Sequence, residues 1–166
     1  MRKIITILLT IVAYYNTVYA QNKQLAIFVY SNSAEPTNAL RSQIISSFLN
    51  GGDRNYDIVD RTDEILSILS SEYEYQGSGM VKNEQIISIG EQLAANHICA
   101  IAITLFPDHQ YFFEGKIVDV EKRQIVKNSF YPSTPEKKIL ELNVQSQLDV
   151  GKELAKQLGI SYSMDY

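Results

Sequence analysis

The sequence predicts one α/β domain over residues 21–166, with a mixed β-sheet of about five strands and helices on both faces of the sheet. Apolar runs of strand length alternate with amphipathic helical repeats early in the chain, a pattern typical of parallel strands that are joined by helices. Two strand segments then follow one another without a helix between them, which predicts antiparallel pairing at one side of the sheet. The predicted order of elements is β-α-β-α-α-β-β-β-α.

Residues 1–20 are predicted to form a cleavable signal peptide ahead of this domain. A short basic segment precedes Ile4 to Ala13, an uncharged and mostly apolar run of about ten residues. A membrane-spanning helix needs about 20 such residues, so an uncleaved membrane anchor is the less favoured alternative. Val18 and Ala20 mark a cleavage site that would leave Gln21 as the first residue, where a lipoprotein would need a cysteine.

The first strand is predicted over Leu25 to Tyr30, because this run is apolar at every position, as in a strand covered on both faces. Turn-forming residues separate it from a helix that Thr37 or Asn38 can cap. The segment Asn50 to Gly52 ends this helix, and a short second strand follows from Tyr56 to Asp60. The predicted buried face of the first helix consists of apolar residues at helical spacing: Leu40, Ile44, Ile45, Phe48 and Leu49.

Two more helices are predicted between the second and third strands. Thr62 is predicted to cap the second helix and Asn83 the third, while Gln76 to Gly79 forms the turn between them. Gly90 lies inside the third helix, where glycine costs up to about 1 kcal/mol, so we expect another element to approach closely there. The predicted packing faces are Ile65, Leu66, Ile68, Leu69 and Tyr73 in the second helix, and Ile86, Ile89, Gly90, Leu93 and Ala94 in the third.

The remaining elements are three strands and a final helix. Ile98 to Phe106 is the most apolar segment after the signal peptide and is predicted to be the central strand. Gln110 to Val120 and Gln124 to Phe130 are predicted to form a hairpin, with alternation too imperfect to assign inward faces. The last helix is predicted from Glu141 to Leu158, with the packing stripe Val144, Leu148, Gly151, Leu154, Ala155 and Leu158.

The composition of the chain argues against some classes of binding partner. With 15 basic and 19 acidic residues, the net charge is −4, which argues against nonspecific binding to nucleic acid or to anionic lipid. The single cysteine, Cys99, excludes an intrachain disulfide. Because Cys99 lies among apolar residues, a buried thiol is predicted, with pairing to another chain as the alternative.

No catalytic, cofactor-binding or metal-binding residues are predicted. His97 is expected to be a structural histidine at the start of the central strand, and His109 a solvated turn residue. Asp108, His109 and Glu114 are the best available metal-binding set, yet two of them are neighbours in one turn and nothing else supports the set. Ser78 follows a helix, whereas the nucleophile of a hydrolase elbow follows a strand.

Two other groups of residues have both a structural and a functional interpretation. The charged side chains from Asp60 to Glu64 are interpreted as helix capping and a surface ion pair, with an interaction edge as the alternative. The chain also has 11 tyrosines, which is many for its length. Those that could serve an interface, or equally pack within the domain, are Tyr73, Tyr75, Tyr111, Tyr131, Tyr162 and Tyr166.

Three motifs, in this order, resemble a known family. The first is a strand that ends in Asp60-Arg61 before an apolar helix. The second is the turn at Gln76 to Val81, followed by a helix with Ile89-Gly90 that enters the central strand through Leu93 to His97. The third is the hairpin from Phe113 to Val126. Together they resemble the CsgG/LpoB family of bacterial envelope proteins, whose domain is related in shape to the N-terminal domain of TolB.

The resemblance implies an exported, non-catalytic binding module in the periplasm, similar to the LpoB-type activator of a penicillin-binding protein, which binds an envelope protein. It also implies an alternative, a self-assembling structural or secretion-accessory component related to the CsgG ring domain, and hence a homo-oligomer. The chain departs from the family in two ways. It lacks the lipoprotein cysteine, and the loops before Tyr56 and Gln110 are too short for membrane-spanning hairpins, so no membrane insertion is expected after signal cleavage. A hydrolase or metal enzyme, the third hypothesis, would need a convergent polar cluster that the sequence does not show.

Overall fold

The computed structural model describes residues 23–32, 38–51, 56–71, 81–133 and 143–160. None of the helices in these ranges is long and apolar enough to cross a membrane. The elements are β1 (Lys23–Ser31), α1 (Asn38–Gly51), β2 (Tyr56–Asp60), α2 (Thr62–Leu69), α3 (Asn83–Gln92), β3 (His97–Leu105), β4 (Tyr111–Asp119), β5 (Gln124–Tyr131) and α4 (Val144–Gln157). Several predicted features lie outside the described residues: the signal peptide, the turn at 76–79 with Ser78, and Tyr73, Tyr75, Tyr162 and Tyr166.

The five strands within the described ranges form one mixed sheet in the order β2-β1-β3-β4-β5. β1 pairs in parallel with β2 on one side and with β3 on the other, while the β3-β4 and β4-β5 pairs are antiparallel. Parallel strands need long crossover connections, which here contain helices, whereas β4 and β5 are joined by a tight turn. The predicted mixed sheet and the predicted order of elements are confirmed.

Helices lie on both faces of the sheet, as predicted. α1 and α4 pack against each other on one face, over the β1 and β3 side chains of Leu25, Ile27, Cys99 and Ile101. α2 and α3 lie on the other face, over Ala26, Phe28, Ile98 and Ala100. Neighbouring residues of β1 and β3 are therefore buried on opposite faces, which explains why both strands are apolar at consecutive positions. The burial of Cys99 confirms the predicted buried thiol.

Thr62 and Asn83 do not cap their helices as predicted, because each is the first helical residue. At α2, the carboxylate of Asp60 accepts the N–H of Thr62 at 2.9 Å, so a residue further upstream satisfies this amide, which has no partner within the helix. At α3, Lys82 is the N-cap residue, and its N–H donates to the side chain of Gln85 at 2.8 Å. Side-chain caps are therefore present at both sites, but they come from other residues.

Two described residues of the predicted packing faces are exposed. Leu49 is 50% exposed, because α1 buries the stripe that runs through Ile44 and Phe48 and Leu49 lies at the edge of that stripe. Ala94 is exposed and lies beyond the end of α3, where its φ is 51°. Gly90, in contrast, has the predicted role, since a Cβ at this position would collide with the side chain of Val120. The final helix starts at Val144, and residues 141–142 lie outside the described ranges.

Helices α3 and α4 end in the same way. In each, the residue after the C-cap has a positive φ, 51° at Ala94 and 71° at Gly159. The N–H of the following residue donates a hydrogen bond to a carbonyl of the helix, with an N···O distance of 3.0 Å in α3 and 2.9 Å in α4. This pattern is the Schellman motif, in which glycine is the favoured residue at the left-handed position.

We predict that Ala94→Gly stabilises the protein by up to about 1 kcal/mol and that Gly159→Ala destabilises it by about the same amount, because a Cβ disfavours the left-handed conformation. A Cβ at position 159 would meet open space, so the backbone alone decides that effect. Ser88→Gly, at an exposed position inside α3, is the control and should destabilise. Urea unfolding measures all three, and a loss of stability in Ala94→Gly would contradict the assignment.

We also predict that Gly90→Ala destabilises the protein by about 1–3 kcal/mol, despite the better helix propensity of alanine. The added methyl group would collide with Val120 and lie 3.1 Å from Cδ1 of Ile98. In the double variant with Val120→Ala, the two losses should be less than additive, because the smaller side chain makes room for the methyl group. Additive losses in urea unfolding would show that the two positions are not in contact.

Candidate protein-binding surface

The β4-β5 end of the sheet has a well-covered face and an exposed one. α4 packs against β5 on the first face, where Ser129 and Tyr131 are buried. Alternate side chains point to the second face, on the α2-α3 side of the sheet, because side chains alternate along a strand. This second face of the two strands is termed the open face, and its side chains are those of Phe112, Glu114, Lys116, Ile125, Asn128 and Phe130.

Three phenylalanine rings form a contiguous group at one end of the open face, with the middle ring in contact with the other two. These rings, Phe106, Phe112 and Phe130, are termed the aromatic patch. The centroids of Phe112 and Phe130 are 5.7 Å apart, and those of Phe106 and Phe112 are 6.4 Å apart, which are favourable distances for ring pairs. Phe106 is 46% exposed and Phe130 is 43% exposed. Contiguous exposed aromatic side chains are a feature of surfaces that bind other proteins.

Two local features of the sequence place these rings together. Phe112 and Phe113 are consecutive in β4, so Phe113 is fully buried on the α4 side while Phe112 points to the open face. Phe106 begins the turn between β3 and β4. Its N–H donates to the carbonyl of Gln110 at 2.9 Å, and its carbonyl accepts the N–H of His109 at 3.0 Å. These hydrogen bonds hold the turn closed and keep Phe106 beside Phe112.

A charged pair lies next to the aromatic patch. Oε1 of Glu114 and Nζ of Lys116 are 3.1 Å apart, and both side chains are partly exposed. Across the strand pair, Glu114 lies opposite Phe130 and Lys116 lies opposite Asn128. The open face therefore combines exposed rings with polar groups that satisfy each other, a composition typical of protein interfaces.

β5 is an edge strand, because within the described ranges it pairs with β4 alone. Two further apolar side chains are exposed on it, Ile125 at 41% and Val126 at 37%. The pairing register between β4 and β5 shifts between Ile117 and Val118, where a β-bulge interrupts the alternation. The bulge explains why the alternation in this hairpin is too imperfect to assign inward faces from the sequence.

The carboxylate of Asp119 organises the turn between β4 and β5. Its Oδ1 accepts the N–H of Lys122 at 2.9 Å, and its Oδ2 accepts a hydrogen bond from the Lys122 ammonium at 2.9 Å. The side-chain hydrogen bond to Lys122 lowers the pKa of Asp119, and the same bond raises the pKa of Lys122. Nε2 of His97 lies 3.7 Å from the Asp119 carboxylate, and both residues are buried. This is the position expected of a structural histidine.

The residues considered for a metal site do not converge. Asp108 and His109 are exposed in the β3-β4 turn, where the Asp108 carboxylate accepts a hydrogen bond from the side chain of Gln110. Glu114 lies on β4 and pairs with Lys116. In the part of the chain that the structure describes, no three His, Cys, Asp or Glu side chains are grouped so that they could hold a metal ion.

The charged cluster from Asp60 to Glu64 has the structural roles that the sequence predicts. Asp60 caps α2, and Arg61 lies 2.7 Å from Glu64 in an exposed ion pair. Arg41 on α1 adds contacts to Asp63 at 2.8 Å and to Asp60 at 3.6 Å. The hydrogen bond from Arg41 lowers the pKa of Asp63. These groups neutralise one another across the α1-α2 surface.

A second surface feature is an open groove of about 430 Å³ beside α1, lined by Arg41, Ser42, Ile45, Ser46, Leu49, Asn50 and Asp60. Leu49 is its only exposed large apolar side chain among those lining residues. The charges at one end, Arg41 and Asp60, pair with each other. The groove therefore offers a partner much less apolar surface than the open face does.

The remaining residues singled out in the sequence pack inside the domain. Tyr131 is buried, and Tyr111 is partly buried against the core between the sheet and the α1-α4 layer. The burial of these two side chains agrees with the interpretation that the tyrosines pack within the domain. Cys99 is buried at the centre of β3, and its burial raises the pKa of the thiol, which disfavours the reactive thiolate.

Comparison with known proteins finds similar solved structures at low sequence identity. No protein-family model matches the sequence, and no curated protein sequence is significantly similar to it. The C-terminal domain of LpoB from Salmonella enterica is 10% identical over 72% of this chain and 84% of that chain, with a TM-score of 0.46. The PelC dodecamer from Paraburkholderia phytofirmans is 10% identical over 85% of this chain and 90% of that chain, with a TM-score of 0.40.

A third similar structure is lipoprotein GNA1162 from Neisseria meningitidis. It is 10% identical over 84% of this chain and 99% of that chain, with a TM-score of 0.41. The family resemblance that the sequence motifs indicate stays a prediction.

We predict that Asp119→Asn destabilises the protein at neutral pH. The free energy of unfolding of this variant should also fall less steeply as the pH is lowered. The pKa of Asp119 in the folded state is below its ordinary value of 3.8, so its carboxylate stabilises the fold at neutral pH. That contribution is lost as the pH falls through the folded-state pKa. Asp57→Asn, which removes a charge at an exposed position on β2, is the control. Urea unfolding from neutral to acidic pH tests this, and identical profiles for the two variants would contradict it.

Proposed function

We propose that the protein is an exported, non-catalytic binding module of the cell envelope, and that the open face binds its protein partner. The observation that carries the proposal is the aromatic patch. Phe112 contacts both other rings at one end of the open face, and Phe106 and Phe130 each keep more than two fifths of their surface exposed. A partner that covers these rings removes apolar surface from water.

The energetic gain from covering the patch is substantial. Fully burying one phenylalanine side chain is worth about 1.5–3 kcal/mol, and Phe106 and Phe130 are each close to half exposed. The rings are already ordered, because Phe112 and Phe130 lie on paired strands and Phe106 lies in a hydrogen-bonded turn. Binding at such a preorganised surface costs little conformational entropy.

Export and the lack of catalysis are supported by the sequence and by the surroundings of the patch. Residues 1–20 have the pattern of a signal peptide, and the motifs resemble a family of envelope proteins. The polar groups beside the rings, Glu114 and Lys116, form an ion pair and satisfy each other. Asp119 and His97 are buried next to each other and support the turn into β5.

Self-assembly is the second candidate function, and the observation that favours it is the position of β5 at the edge of the sheet that the described strands form. Two copies could pair their β5 strands and extend the sheet. Lys127, which lies near the middle of β5, disfavours this arrangement, because two identical edges would bring two lysines close together. We therefore place binding to a different protein first.

We predict that Phe130→Ser and Phe106→Ser each reduce capture of the partner about three- to tenfold, since each removes roughly 0.7–1.4 kcal/mol of binding free energy. The measurement is crosslinking in intact cells, purification of the protein, and quantification of co-purified envelope proteins by mass spectrometry. Leu49→Ser is the matched control, because Leu49 is also exposed but lies on α1, on the other face of the sheet. Urea unfolding should show that all three variants remain folded.

Two outcomes would contradict the proposal. In the first, the phenylalanine variants capture the same envelope proteins as the unmodified chain does. In the second, Leu49→Ser reduces capture and the phenylalanine variants do not. That result would show that the partner binds at the groove beside α1.

A further inference from the structure

Within the described residues, β5 pairs with another strand along one side of its backbone only. The strand spans Gln124–Tyr131, and in the described part of the chain its one sheet neighbour is β4. In an antiparallel pair, the amide and carbonyl groups of alternate residues point away from the paired strand. An extended segment of a partner can bond to those groups and become the next strand of the sheet.

The side chains along this edge define what the added segment must carry. Ile125 and Phe130 project on the open face, and Val126 is exposed at the bulge. Side chains on the same face of neighbouring strands lie about 4.5–5.5 Å apart. An added strand would therefore place every second side chain beside Ile125 or Phe130, where an apolar side chain is favoured.

The segment of residues 121–131, which contains β5, carries a net positive charge, although the whole chain is acidic. Residues 121–131 contain Lys122, Arg123 and Lys127 against the single acidic residue Glu121, a net charge of +2, whereas the chain carries −4. Lys122 and Arg123 already pair with carboxylates of the same chain. Lys127 is exposed and has no ion-pair partner within the described ranges. An acidic segment would be attracted to this edge and repelled by the rest of the surface.

We infer that the partner binds by adding an acidic, extended segment to β5 as a sixth strand of the sheet. The inference rests on the proposed function, because it specifies the partner of the same open face. The segment carries apolar side chains on the open-face side, next to Phe130 and Ile125, and a carboxylate that reaches Lys127. Lys127 then has two effects, since it favours an acidic strand and disfavours pairing with a second, equally basic copy of β5.

A synthetic peptide tests the inference directly. The probe is a fluorescein-labelled peptide of eight residues in which valine and glutamate alternate, and its counterpart has lysine in place of glutamate. We expect the glutamate peptide to raise fluorescence anisotropy with the purified chain, and the lysine peptide to bind at least about tenfold more weakly. Lys127→Glu should weaken the glutamate peptide at least about tenfold, whereas Lys152→Glu, an equal charge change on the exposed side of α4, should not.

N-methylation of the peptide separates strand addition from simple charge attraction. Two versions of the glutamate peptide carry N-methyl groups on alternate residues, one set on the odd and one on the even positions. Only one set of amides bonds to β5, so one version should bind like the parent and the other at least about tenfold more weakly. Equal binding by the two versions, or equal binding by the glutamate and lysine peptides, would overturn the inference.

The failure of this inference can be told apart from the failure of the proposed function. If Phe130→Ser abolishes capture in cells while no peptide binds in an N-methyl-dependent way, the strand-addition mode is wrong and the open face remains the binding surface. If Phe130→Ser leaves capture unchanged, the proposed function is wrong, whatever the peptides do.

Discussion

β1 and β3 bury every side chain from Leu25 to Tyr30 and from His97 to Ile103, so helices must cover both faces of the sheet at its centre. α1 and α4 cover one face, and α2 and α3 cover the other. Among the described helices, α4 alone packs extensively against β5, and it lies on the first face. The second face of β4 and β5 is therefore left outside the two helical layers. The candidate binding surface follows from this unequal coverage, because the open face begins where the α2-α3 layer ends.

Close packing and support of the fold explain most of the residues whose types are also common in active sites. Gly90 allows α3 to approach Val120, and Gly151 allows α4 to approach Ser47, whose Oγ lies 2.6 Å from the position that a Cβ would occupy. His97 and Asp119 support the end of the hairpin, and Cys99 fills the core. The polar and reactive side chains in the described chain thus maintain the framework, and the exposed rings remain without an internal structural purpose. This division of roles is why we interpret the protein as a binding module.

The fold could be predicted from the sequence because its signals are local and strong. The apolar runs of β1 and β3, the helical spacing in α2 and α3 and the tight contact at Gly90 are all visible in the linear pattern. The helix caps could not be predicted to the residue, since each helix begins one residue earlier than a cap at Thr62 or Asn83 requires, and Asp60 and Gln85 supply the capping contacts instead. The binding surface could not be predicted either. The bulge opposite Val118 interrupts the alternation of the hairpin, and the meeting of Phe106, Phe112 and Phe130 depends on the pairing register of β4 and β5.

The central claim is that a partner protein covers the open face, and site-specific photocrosslinking in living cells tests it most directly. A photoreactive amino acid would be placed in turn at Phe112, Asn128 and Phe130, and at Ser42 and Leu49 on α1 as the comparison surface. The account predicts that the three open-face positions crosslink to the same envelope protein and that the two α1 positions do not. Crosslinks to one envelope protein from the α1 positions alone, or from none of the five positions, would contradict it.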